Sequence, residues 1–88
     1  MDKVYDIQKA IVMETEVVLS LLDTRYNAVM IIRPSGDKFE ISEPDGEERI
    51  SWLLRLGVIT MEQALTEASG LKTTQKRKLV ELLQKQLE

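Results

Sequence analysis

Carboxylates are the commonest reactive groups in this chain, and two sets stand close in sequence: Glu14 with Glu16, and Glu47 with Glu48. Paired carboxylates can trade a proton as acid and base, or hold a divalent cation, when they converge on one point. Residues one or two apart do not face each other on a helix, and no further ligand is spaced to complete either set. The chain has no histidine and no cysteine. That removes imidazole proton transfer, thiol nucleophiles, disulfides and the usual zinc ligands together. Ser35-Gly36-Asp37-Lys38 lacks the glycine spacing and the Lys-Ser/Thr ending of a phosphate loop. The expectation is a protein that is not an enzyme, with no cofactor, no metal and no small-molecule substrate.

The cations offer a different chemistry. Net charge is −3, so a globally basic nucleic-acid binder is excluded. Lys72, Lys76, Arg77 and Lys78 nevertheless form a run with no acid among them, a local site for an anion. Gly36 to Glu48 is the opposite case, six acids against Lys38 alone. That stretch suits a turn followed by a helix start, where acids favour the dipole, or a docking surface for a basic partner.

Eighty-eight residues, 43% hydrophobic and 31% charged, suit one globular domain with a modest core, to which a partner or a second copy would add stability. Acids among the first apolar positions argue against a secretory signal or a membrane span, and the chain reads as cytoplasmic with no membrane partner.

The elements that must position these groups read as α+β. Residues 1–25 contain no Gly or Pro, and Val4, Ile7, Ile11, Val18, Leu21, Leu22 and Arg25 follow helical spacing, which predicts a long N-terminal helix over about Lys3 to Leu22. Val17, Leu19 and Leu21 also alternate, so Glu16 to Leu22 as a first strand of a small meander stays open. Val12, Met13 and Leu19 lie off the main helical stripe and give that helix a second apolar side, a candidate protein interface. Residues 26–43 predict a β-hairpin: the apolar run Ala28 to Ile32, a type I turn at Pro34-Ser35-Gly36, then alternating Phe39 and Ile41.

Residues 45–88 predict three helices. Asp45 and Glu48 form a capping pattern at the first, and Ile50, Leu53 and Leu54, widened by Trp52 and Leu56, line its apolar side up to Gly57. Trp52 is a second candidate interface residue, since tryptophan is enriched in binding hot spots. Thr60 with Gln63 caps the next helix, and Gly70 closes it. The last helix begins at Thr73 or Thr74, with Leu79, Leu82, Leu83 and Leu87 as its stripe.

Thr66 to Gln84, "TEASGLKTTQKRKLVELLQ", resembles the helix-turn-helix of winged-helix transcription regulators. The resemblance is carried by Ala68 near the end of a short helix, Ser69, Gly70 at the turn, Leu71 behind it, the Thr73-Thr74-Gln75 start, Arg77 and Leu79. Lys76 departs from the pattern, since a small apolar residue usually stands there. The resemblance implies that the helix from Thr73 enters a major groove, with Lys72, Thr73, Thr74, Gln75, Lys76, Arg77 and Lys78 toward DNA. Cations in the first turn cost a free helix about 0.3–1 kcal/mol each, a penalty that a bound phosphate would reverse. Two functions follow as expectations. One is a non-enzymatic interaction or regulatory module, an oligomeric adaptor or inhibitor that meets a partner protein or itself, as homodimer or higher, through Val12, Met13, Leu19 or Trp52. The other is a DNA-binding regulator using residues 60–87.

Overall fold

Val17 to Leu22 alternates rather than coils, and it makes one strand of a four-stranded antiparallel sheet. The computed structural model describes residues 6–23 and 26–87. Its elements are β1 (Asp6–Val12), β2 (Val17–Asp23), β3 (Tyr26–Ser35) and β4 (Lys38–Ser42), then α1 (Gly46–Leu56), α2 (Met61–Ala68) and α3 (Thr73–Leu87). The chain divides into a strand unit ending at Pro44 and a helical unit beginning at Asp45.

The long N-terminal helix is therefore corrected: strands β1 and β2 occupy its middle. Its ends, residues 1–5 and 24–25, lie outside the described residues. The reason is non-local. The apolar run Ala28 to Ile32 sits in β3, whose backbone needs a hydrogen-bonding neighbour on each edge. β4 has only five residues, and a lone two-stranded hairpin is marginal in water. β2 supplies the other edge, pairing from Val17↔Ile32 to Asp23↔Tyr26. β-branched Ile11, Val12, Val17 and Val18 favour the extended backbone that this pairing demands.

The strands run in the order β1-β2-β3-β4, a simple meander. Met13 to Glu16 connects β1 to β2, and the Met13 N–H donates to the Glu16 carbonyl at 2.8 Å. This loop has no Gly, Pro, Asn or Asp, so nothing in its composition announces a turn. β3 and β4 meet at Gly36-Asp37, one residue later than the sequence suggests, because Pro34 and Ser35 remain in the strand. Gly36 takes φ 63° there, the left-handed backbone that tight hairpins require. Pro34 lies past Ile32, where pairing with β2 ends, so its missing N–H breaks no bond on that side.

One face of the sheet carries Val18, Ser20, Val29 and Ile31, all buried. β1 bulges on that face: pairing passes from Ile7↔Leu21 to Lys9↔Ser20, leaving Gln8 extra. The bulge lets the Gln8 Oε1 accept from the Ser20 Oγ at 2.9 Å, giving the fully buried hydroxyl the partner it needs.

In the helical unit α1 packs on both α2 and α3. Ile50, Leu53, Leu56, Ile59, Ala64, Ala68 and Leu79 are its buried apolar residues. Gly57, at φ 77°, ends α1, and the Val58 N–H returns to the Leu53 carbonyl at 3.0 Å. Thr60 and Gln63 form a reciprocal capping box at α2, with bonds of 3.1 and 2.8 Å. Asp45 departs from expectation: its side chain makes no cap bond to α1. The buried Arg49 instead joins α1 to α2 through a 2.8 Å bond from its Nη1 to the Glu67 Oε1.

Candidate functional site

The second face of the sheet is built from residues that the register brings together across all four strands. Val12, Val17, Ile32 and Ile41 make one row; Ala10, Leu19 and Met30 make the next. Ile7, Leu21 and Ala28 form a third, with Leu21 itself buried, and Pro34 with Phe39 extends the face beyond the end of β2. No charged residue stands in these four rows, and the row beyond them, Asp23 with Tyr26, ends the face with a charged and an aromatic position. An antiparallel sheet that is solvated on one side normally alternates apolar inward with polar outward; β1 and β4 do alternate, with Lys9, Lys38, Glu40 and Ser42 in the other direction, whereas Val17 to Leu19 and Ala28 to Ile32 are apolar in both. Val12 is 79% exposed, Phe39 74%, Ile7 64% and Ile41 59%. These exposed positions make the face a contiguous apolar patch, a feature that interaction surfaces share.

Val12 and Leu19, which lie off the main stripe of the expected helix, stand on one face as strand residues in adjoining rows. Met13 lies in the β1–β2 loop and is half-buried. Trp52 belongs to the helical unit, where it is half-buried beside a groove of about 610 Å3 lined by α1 and α3 residues. The Arg55 guanidinium lies 5.1 Å from the centre of its ring, a cation–π contact. Ile7, Met30, Phe39 and Ile41 stand on this face as well, beyond the interface residues expected from the sequence. The signal for Phe39 and Ile41 was their alternation, but only the pairing of β3 with β4 places them beside Val17 and Ile32.

At the start of α3, Lys72, Thr73, Thr74, Lys76, Arg77 and Lys78 are all exposed, after a connection of four residues from Ala68. Gln75 is different. Its Oε1 accepts from the Lys72 N–H at 3.0 Å, and its Nε2 lies 3.3 Å from the Glu47 Oε2 on α1. That amide completes the helix start from inside, as the third-position residue of a capping box does, and it ties α3 to α1. The apolar side that the first turn of α3 lacks is thus replaced by a polar clasp, which accounts for a lysine being tolerated at position 76.

α2 and α3 leave between them an apolar groove of about 300 Å3 whose lining includes Leu65, Ala68, Leu79, Val80 and Leu83. Among the described residues, no group of three or more carboxylates is placed to hold a metal ion. No described helix is long and apolar enough to cross a membrane. No protein-family model, no curated protein and no solved structure matches this chain.

Proposed function

We propose that this protein is a non-enzymatic interaction module whose working surface is the set of apolar rows on one face of its sheet. The observation that carries this reading is the run of apolar rows across β1 to β4, with Ile7, Val12, Phe39 and Ile41 largely exposed. Apolar area left in water costs free energy in proportion to its size, and a partner that covers it recovers about 25 cal/mol per Å2. The test separates a docking face from an internal core. At dilutions where the chain is a single copy, replacing Phe39 and Ile41 with serine removes binding of an environment-sensitive apolar dye and leaves unfolding free energy within about 1 kcal/mol, since neither side chain supports the isolated chain. A loss of several kcal/mol at every protein concentration would mean that the face is interior, and the reading would fail.

Binding of duplex DNA through α2 and α3 is the second reading. Its support is the exposure of Lys72, Thr73, Thr74, Lys76, Arg77 and Lys78 at the start of one helix behind a short turn. On this reading Arg77→Ala with Lys78→Ala lowers the slope of log affinity against log salt by about 2, one for each phosphate contact removed. Fluorescence anisotropy with a random duplex reads that slope, and no salt-dependent affinity at all would dismiss the idea.

A further inference from the structure

We infer that the partner of these apolar rows is a second copy of this chain, packed face to face as a two-sheet sandwich; this rests on the interaction reading above. The first argument is area. Taking full side-chain areas of about 200 Å2, the exposures of Ile7, Val12, Phe39 and Ile41 leave on the order of 500 Å2 open. The half-buried residues between them carry this toward the roughly 800 Å2 that each partner gives to a standard stable interface.

The second argument is self-complementarity. A twofold interface sets one surface patch against itself, so a charge near the axis meets its own copy. The four rows contain no charge and no hydrogen-bonding side chain to be left unpaired. Tyr26, 52% exposed, stands with Asp23 at the end of this face, outside the four rows. Interfaces between identical chains are the more apolar class. Two twisted sheets stack about 10 Å apart with strands within about 30° of parallel, and aliphatic rows such as Val12-Val17-Ile32-Ile41 interdigitate well in that geometry.

The experiment is sedimentation equilibrium of the full chain and two double variants, Val12→Lys with Ile41→Lys and Val12→Glu with Ile41→Glu. Circular dichroism checks that each remains folded. The expected result is a wild-type mass twice the 10.1 kDa chain mass, a single-chain mass for each variant alone, and recovery of the double mass in their equimolar mixture. The packing proposed has its twofold axis along the strand direction between β2 and β3, which sets the Val12 edge of one sheet over the Ile41 edge of the other and so the lysine pair against the glutamate pair. A wild type that stays at single-chain mass at all concentrations overturns the second-copy inference, while folded variants that lose apolar-dye binding leave the interaction reading standing. A wild-type dimer that both variants retain, or one that the mixture does not restore, also overturns it. Variants that unfold when dilute overturn both.

Discussion

Gln75 illustrates how one side chain can be misplaced by its neighbours. It stands in a run of exposed polar and basic residues, and the helix-turn-helix resemblance assigns it to a groove of DNA. Its amide instead bonds the Lys72 N–H and the Glu47 carboxylate, at 3.0 and 3.3 Å. Gln75→Ala removes half of a cap and a bond between helices, and is expected to cost about 1–2 kcal/mol in denaturant unfolding. Arg77→Ala, two residues on and exposed, should stay within about 0.5 kcal/mol. Equal effects would mean that the clasp is not made in solution. The sequence announces a Gln at this position but not its partner, because Glu47 lies 28 residues away.

Elements divide by whether their signals are local. The helical unit was legible because caps are local: Gly57 stops α1, and Thr60 with Gln63 starts α2, as their types and spacing indicate. The β3–β4 hairpin was legible for the same reason, to within one residue of its turn. β1 and β2 were not, because the Met13 to Glu16 loop lacks turn residues and residues 7–22 contain enough apolar positions to satisfy a period of 3.6 as well as 2. The two periods make opposite claims about Ile7 and Val18. A helix places them on one stripe, whereas the sheet sets Ile7 on the exposed face and Val18, 0% exposed, on the buried one. Val18→Ser should therefore cost about 2–4 kcal/mol, through a lost apolar side chain and a buried hydroxyl. Ile7→Ser should cost less than about 1 kcal/mol. Comparable losses at both positions would contradict the strand assignment.

At the scale of the whole molecule, the proposed interface is an apolar sheet face that is open in the isolated chain and covered on association. The candidate site was half visible in the sequence: Val12 and Leu19 were recognised as surplus apolar residues, but a face is a property of strand register, which pairs residues as distant as Val12 and Ile41 across one row. Phe39 is the only phenylalanine in the chain and sits on this face, so 4-fluorophenylalanine labelling gives a single 19F reporter there. The measurement to make is its H2O/D2O isotope shift across a dilution series. A full solvent shift in the dilute limit, shrinking as concentration rises, is the predicted result. A reporter already shielded from solvent at every concentration, in a chain sedimenting at single-chain mass, would contradict the central claim.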